Sequence, residues 1–229
     1  MMTAEELMGL YKKVRDEKMV SGGLGLITNP NAKKEGGILL VGMNPSGKEN
    51  GIHNYCECKN NFFVPKHMMM GEYDNKCGYI DLLPVRSGRQ SNVQKDNDLY
   101  NEYHGRLLAY TRDYIEELRP RLIIFANSDS YYWGFDKNHP WMGYKFQKIE
   151  TPLEGERKHW NFYQIIGIEP TGVNRFVNYT NLVGTYFLQY RQHKDKVGRP
   201  VSEERELRFV DIQTIAKFID NNWEKELYK

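Results

Sequence analysis

The part of the chain that decides the fold is residues 38–47, which read Ile-Leu-Leu-Val-Gly-Met-Asn-Pro-Ser-Gly. The run at 38–41 is short, continuous and apolar, and glycines bound it on both sides, which is the pattern of a strand buried on both faces. The turn that follows at 42–47 is rich in Gly, Asn and Pro. A buried strand that ends in such a turn is typical of a parallel sheet whose ligand site lies at the carboxyl ends of its strands.

Helices and strands alternate outward from this segment. Apolar residues at helical spacing predict helices at 3–20, 97–118, 176–192 and 202–227, and a short helix could begin at 128–133. Further strands are predicted at 79–84, 121–126, 144–150 and 161–168. This alternation predicts an α/β fold, a three-layer α/β/α sandwich around a mostly parallel sheet, as a single domain spanning 1–229. We expect the loops after residues 41, 81, 126 and 168 to converge.

Composition narrows the class of protein. A net charge of +2, from 32 basic and 30 acidic residues, does not by itself indicate nucleic-acid binding, although a local basic groove is compatible with it. No apolar run approaches the roughly 20 residues that span a bilayer, and residues 1–10 lack the pattern of a secretory signal. Three cysteines do not form an even disulfide framework. We therefore expect a cytoplasmic or nuclear protein without a membrane partner, and favour a monomer.

Residues 42–48 also fit the phosphate-loop pattern G-x-x-x-x-G-K. The next residue, however, is Glu49 rather than the Ser or Thr that holds magnesium, and its carboxylate would repel the phosphates. Pro45 also removes one of the backbone donors that such a loop aims at phosphate. A phosphate-loop nucleotide binder is therefore the less favoured alternative.

Five segments, in chain order, resemble motifs of the uracil-DNA glycosylase superfamily. Residues 41–47 are similar to the first motif of its mismatch-specific and single-strand-selective branches, where G-[IM]-N-P-G follows the first strand. The other similar segments are 61–64, 78–86, 118–127 and 169–175. The resemblance covers about 37–175 and leaves the first helix and the C-terminal helical segment 176–229 unmatched.

The resemblance implies a DNA-base N-glycosylase of DNA repair, which acts by base flipping or on single-stranded or damaged DNA. In that family pattern Asn44 would orient the attacking water, and Glu169 would be the second catalytic residue. The base would be bound by Met43, Phe62, Phe63 and Asp81. The DNA backbone would be held by Pro45, Ser46, Gly47, Thr171 and Arg175. For Phe62 and Phe63, packing in the core is an equally open interpretation. For Arg175, a surface ion pair is an equally open interpretation.

Two positions depart from the superfamily pattern. Asp81 stands where the pattern has a base-reading Asn, and an ionised carboxylate only accepts hydrogen bonds, which suits an amino-bearing base better than uracil. Glu169 stands where the pattern has a His that donates to the leaving base. The loss of one such donor typically lowers the rate about 100- to 1000-fold. We therefore expect a base preference altered from uracil, or a catalytically weak or inactive binder of nucleic acid or nucleotides on the same fold.

Four side chains are potential metal ligands: His53, Cys56, Cys58 and Cys77. The Cys56-x-Cys58 spacing is not the C-x-x-C that zinc sites commonly use. We therefore expect no metal and no other cofactor.

Overall fold

The structure, a computed structural model, describes residues 2–45, 50–87, 103–125, 142–155, 160–169, 177, 179–189 and 207–226. The α-helices within these ranges are α1 (Ala4–Glu17), α2 (Val64–Met70), α3 (Gly105–Leu118) and α4 (Phe209–Glu226). The strands are β1 (Gly25–Thr28), β2 (Ile38–Gly42), β3 (Gly51–Asn54), β4 (Gly78–Asp81), β5 (Leu122–Phe125), β6 (Tyr144–Lys148), β7 (Asn161–Ile168) and β8 (Tyr186–Gln189). Two 3-10 turns, Tyr55–Glu57 and Gly71–Lys76, flank α2.

The central sheet has the strand order β4-β2-β5-β8-β7-β6. Its first four strands are parallel, while β7 runs antiparallel to both β8 and β6. Numbered along the chain, the four parallel strands have the order 2-1-3-4, which is a doubly wound arrangement. The chain leaves β2 toward β4 and leaves β5 toward β8, in opposite directions. The carboxyl ends of β2 and β5 therefore form the switch point at which such sheets bind ligands.

A second, two-stranded sheet adjoins β4. Strands β1 and β3 pair in parallel, with Gly25 opposite Gly51. The amide of Gly25 donates to the carbonyl of Pro84 at 2.8 Å, and an isolated bridge joins Leu24 to Val85. The sequence pattern did not predict this sheet, because neither of its strands is long or periodic enough to be recognised.

Alternating residues of the central strands divide the core into two clusters. Leu39 and Val41 pack in one cluster with residues of α1 and α3, and Leu40 packs in the other with residues of α2 and α4. Successive side chains of a strand point to opposite faces of its sheet, which explains this division. The continuous apolar run of β2 is therefore required by burial on both faces, as the sequence predicted.

Most predicted elements that fall in the described ranges are confirmed, and one is wrong. Helix α1 begins with the expected capping box between Thr3 and Glu6, and β6 and β7 form the expected strand pair. The helix predicted at 176–192 is contradicted, because residues 181–184 form a turn and β8 follows. Burial of Tyr186 and Phe187 between β5 and β7 outweighs a helical spacing that is ambiguous over so short a run. The part of a predicted helix at 97–102 and the short helix at 128–133 lie outside the described residues.

None of the helices in the described ranges combines the length and the apolar character that crossing a bilayer requires.

Candidate functional site

The end of β2 and the end of β4 lie side by side in the sheet. Gly42 and Asp81 are register partners in the parallel ladder. A Cβ atom on Gly42 would collide with the Oδ1 atom of Asp81 and with the hydroxyl of Tyr79. Only glycine at position 42 therefore leaves room for the carboxyl group of Asp81 beside the backbone of β2.

Beyond the two strands, their loops continue as a hydrogen-bonded pair. The amides of Leu82 and Leu83 donate to the carbonyls of Gly42 and Met43 at 3.1 and 3.0 Å. The Nδ2 atom of Asn44 lies 3.3 Å from each of two carbonyl oxygens in the β4 loop, those of Val85 and Ser87.

This arrangement fixes the amide group of Asn44. Its nitrogen is turned toward backbone acceptors of the β4 loop. Its Oδ1 atom receives no hydrogen bond from the part of the chain that the structure describes. Asn44 is half-buried, so this oxygen can accept a hydrogen bond from a water molecule at the sheet edge.

Asp81 is a buried acid, and one of its two carboxyl oxygens has no hydrogen-bond partner. The residue is 5% exposed, its Oδ1 atom accepts a hydrogen bond from the Tyr79 hydroxyl at 3.0 Å, and its Oδ2 atom is buried without a partner. Burial raises the pKa of the carboxyl group to about 7, against the opposing effects of the Tyr79 hydrogen bond and the charges of Lys66 and Arg86. Near neutral pH, Asp81 therefore exists both as a neutral acid that donates and as a carboxylate that only accepts.

The two phenylalanines separate into a core ring and a surface ring. Phe63 is 3% exposed, and its ring centroid lies 5.2 Å from that of Tyr79 and 5.8 Å from that of Tyr55. Phe62 is 48% exposed, and the ammonium of Lys66 lies 3.2 Å from its ring centroid. Of the two open interpretations, core packing therefore holds for Phe63, while Phe62 offers an aromatic surface beside a cation whose charge also acts on Asp81.

Met43, predicted as a base-binding side chain, is buried in the cluster formed with α1 and α3. Asp81 instead hydrogen-bonds to Tyr79, which belongs to the cluster on the other face of the sheet. The side chain of Met43 therefore packs in the core and does not face Asp81. Its backbone carbonyl contributes to the site, through the hydrogen bond to Leu83.

Glu169 does not join Asn44 and Asp81. It follows β7, which runs antiparallel to β8 with Asn161 opposite Gln189. The carboxyl end of β7 therefore lies at the edge where the parallel strands begin, roughly 20 Å from its own first residue at about 3.3 Å per residue. The expected convergence of the loop after residue 168 with the loops after 41 and 81 is wrong at Glu169, because β7 is antiparallel. Ser46, Gly47, Thr171 and Arg175 lie outside the described residues.

Two of the four potential metal ligands, Cys58 and Cys77, donate their thiols to backbone carbonyls. The thiol of Cys77 donates to the carbonyl of Asp74 at 3.3 Å, and the thiol of Cys58 donates to that of Asn54 at 3.4 Å. His67 links Asp74, 2.8 Å from its Nδ1 atom, to the Cys58 carbonyl, 2.9 Å from its Nε2 atom. Within the described ranges, no group of three or more His, Cys, Asp or Glu is placed to hold a metal ion. These contacts brace the segment that carries Phe62 and Phe63.

Sequence reasoning missed Tyr79 and Lys66 as members of the site. Tyr79 precedes Asp81 by two residues in a strand, and this spacing places both side chains on one face, so its proximity was recoverable from the sequence. Lys66 reaches the site through the packing of α2, for which the sequence carries no signal. A scan of protein-family models and a search of curated proteins returned no match to this chain.

Proposed function

We propose that this protein is a DNA-base N-glycosylase-like protein with a uracil-DNA glycosylase-like α/β/α sandwich, acting on a flipped or single-stranded base. The observation that carries this proposal is the adjacent placement of Asn44 and Asp81 at the carboxyl ends of two parallel strands. This edge borders the switch point of a doubly wound sheet, where such folds bind their ligands.

The proposed reaction is hydrolysis of the bond between C1′ of deoxyribose and the base nitrogen. Water forms a bond to C1′, and the C1′–N bond breaks with its electron pair leaving on the base. The proton that the water loses passes to solvent, and the departed base takes up a proton in its place. The Oδ1 atom of Asn44 is the acceptor available to hold that water, because the amide nitrogen is held by the β4 loop. An amide is not a strong base, so Asn44 contributes by positioning the water.

Asp81 supplies what a departing base needs. The base leaves with developing negative charge, which a hydrogen-bond donor directed at it stabilises. A neutral carboxyl group can be that donor, and burial keeps the pKa of Asp81 high enough for a neutral population near pH 7. The base preference then depends on the protonation of Asp81 and therefore on pH, unlike that of a protein that reads the base with an amide.

Phe62 and Lys66 support a nucleic-acid ligand at the same edge. An exposed aromatic ring stacks on bases of any sequence, and a nearby ammonium attracts the phosphate backbone. Lys66 connects this pair to Asp81, since its charge acts on that carboxyl group. Phe62 packs against Phe63, whose ring centroid lies 5.2 Å from that of Tyr79, and Tyr79 donates to Asp81. A base stacked on Phe62 would therefore lie two aromatic rings away from Asp81.

A second candidate is a protein that binds a base or nucleotide without cleaving it. The position of Glu169 at the opposite edge of the sheet favours this alternative. Without Glu169, Asp81 is the remaining candidate donor to a leaving base among the residues that the structure describes, and it can donate only in its neutral form. The two candidates share a ligand and differ in whether the bond breaks.

A base-release assay tests the proposal. Single- and double-stranded oligonucleotides would carry uracil, mismatched thymine, hypoxanthine, xanthine or modified cytosines. Asn44→Ala is compared with Asn31→Ala, which removes an exposed amide. We expect release from at least one substrate, a loss of about 100-fold in Asn44→Ala through misplacement of the water, and no loss in Asn31→Ala.

The other outcomes are equally informative. DNA binding without release from any substrate would reject catalysis and leave the binding protein. Binding of a nucleoside triphosphate with magnesium, abolished by Lys48→Ala, would instead favour the phosphate-loop alternative. Absence of both release and binding would reject the proposed function altogether.

A further inference from the structure

We propose that Asp81 in its neutral form, oriented by Tyr79, reads a base that presents a C=O beside an N–H, such as uracil, thymine or hypoxanthine, and loses this selection when it ionises. The inference rests on the proposed function, because it requires a base to enter beside Asp81. It reverses the expectation from the sequence, in which an ionised Asp81 would prefer an amino-bearing base.

The first support is the unpartnered oxygen. Buried polar atoms in proteins are nearly always hydrogen-bonded, and a buried one without a partner needs a specific explanation. The Oδ2 atom of Asp81 is such an atom, on a residue that is only 5% exposed. A ligand that hydrogen-bonds to Oδ2 would remove this penalty. Because Oδ2 is closed to water, a base that reaches it displaces the side chains around it.

The second support is the fixed polarity of the carboxyl group. Tyr79 donates to Oδ1, and while it does so the proton of the neutral acid lies on Oδ2. Oδ2–H is then a donor and Oδ1 an acceptor with one remaining lone pair, which is the pattern of an asparagine amide. Oδ2–H can donate to the O4 atom of uracil while Oδ1 accepts from N3–H. Cytosine in the same orientation would oppose donor to donor and acceptor to acceptor.

The third support is the set of charges around the carboxyl group. The titratable groups whose fields act on Asp81, from α1, α2, β4 and the adjoining loops, are Tyr11, Cys58, Lys66, Tyr79 and Arg86. The cations Lys66 and Arg86 and the Tyr79 hydrogen bond favour the ionised form. Burial outweighs them, so the pKa lies at about 7 and both forms are populated near neutral pH. The ionised form presents two acceptors and repels the O4 atom of uracil.

The test is the binding of two single-stranded oligonucleotides that are identical except for one central uracil or cytosine. Binding is measured by fluorescence anisotropy at about pH 6 and about pH 8, one unit on either side of the Asp81 pKa of about 7. We expect the affinity of the wild-type protein for the uracil oligonucleotide to fall about tenfold from the lower to the higher pH, in proportion to the neutral fraction. Asp81→Asn, which is nearly isosteric and cannot ionise, should prefer uracil equally at both pH values.

Tyr79→Phe is a second variant that acts in a different way. It removes the hydrogen bond that lowers the pKa of Asp81, so the fall in affinity should move to higher pH. It also frees the proton to occupy either oxygen, so the preference for uracil over cytosine should shrink. Near-ultraviolet circular dichroism of each variant establishes that it is folded.

The same samples are assayed for base release, which separates the two proposals. Proton-dependent uracil binding that Asp81→Asn makes constant supports the inference even if no base is released, and in that case only catalysis is rejected. Release with a base preference and pH profile unchanged in Asp81→Asn supports the proposed function and overturns the inference. Uracil affinity that is independent of pH in the wild-type protein, or no binding of either oligonucleotide, also overturns it.

Discussion

Two carboxyl groups are buried to the same extent at opposite ends of the parallel strands of the central sheet, and they have very different surroundings. Glu116 and Asp81 are each 5% exposed. Glu116, where the parallel strands begin, is surrounded by the Tyr144 hydroxyl at 2.9 Å, the Thr180 hydroxyl at 2.6 Å, the Asn181 amide at 2.7 Å and the Arg112 guanidinium at 3.7 Å. Asp81, where they end, has one donor and one empty oxygen. A saturated carboxylate stabilises the scaffold, whereas a half-satisfied one retains capacity for a ligand.

The largest change in stability is expected from a substitution of Glu116, the carboxylate that is fully hydrogen-bonded. Glu116→Gln places an amide NH2 among three donors and removes one of the two carboxylates beside Arg112, which keeps Asp113 at 2.7 Å. It should therefore lower the free energy of unfolding by about 3–5 kcal/mol, mainly because buried donors lose their acceptor. Urea denaturation at neutral pH measures this change. Glu117→Gln, on the next residue of α3, is the control for loss of a carboxylate at that end of the helix. A loss of less than about 1 kcal/mol in Glu116→Gln would show that the network is not stabilising.

The same exchange at Asp81 should have the opposite sign. The pKa of Asp81 is raised from 3.8 to about 7 in the folded state, so its stabilising contribution is present below about pH 4 and lost as the pH rises through 7. Asp81→Asn cannot ionise and should therefore be more stable than wild type at about pH 8, by about 2–4 kcal/mol. The difference should shrink toward about pH 4. Urea denaturation curves of both proteins at the two pH values measure this difference. If Asp81→Asn were less stable than wild type at about pH 8, the folded protein would require the ionised form of Asp81.

A smaller effect is expected at Gly42, where the space for the Asp81 carboxyl group is created. Gly42→Ala introduces a methyl group against Asp81 and Tyr79, and overpacking of this kind typically lowers stability by about 1–3 kcal/mol. It should also abolish the pH dependence of uracil binding by displacing the carboxyl group. Thermal denaturation and the anisotropy titration measure the two effects separately. Unchanged stability would mean that the carboxyl group moves freely.

The smallest effect provides the control for glycine replacement. Gly9 lies on the exposed side of α1, and no atom lies within 4 Å of the point that a Cβ atom would occupy there. Gly9→Ala should raise stability by about 0.5–1 kcal/mol through helix propensity alone. If both glycine variants were destabilised to the same extent, the effect at Gly42 would not be attributable to Asp81.

Much of the fold was predictable because local patterns and burial agree in it. The run at 38–41 and the capping box of Thr3 each have one physical interpretation, and each element formed as predicted. Strand β8 was not predictable, since a short apolar run fits a helix or a strand until its neighbours β5 and β7 are known.

The part of the candidate site that could be predicted is the part built on parallel strands, because the carboxyl ends of neighbouring parallel strands lie side by side. Asn44 follows β2 and Asp81 ends β4, the neighbouring parallel strand. Glu169 follows an antiparallel strand, whose direction the sequence does not encode locally. Phe62 and Phe63 are adjacent and identical in type, so the sequence does not indicate that the fold buries Phe63 and exposes Phe62. The proton on Asp81 depends on burial by distant segments, so its pKa could not be predicted from the residue type.

The position of β8 between β5 and β7 has a consequence for the growing chain on the ribosome. Strand β5 is complete about 60 residues before β8 begins, and β6 and β7 are made in the interval. At about 5–20 residues per second, this interval lasts roughly 3–12 seconds. During it β5 has an open edge of unpaired backbone groups, and the β6–β7 hairpin has no neighbour to join it to the sheet. Ribosome-bound chains that end shortly before Tyr186 are therefore the forms most exposed to strand-edge aggregation and to binding by chaperones.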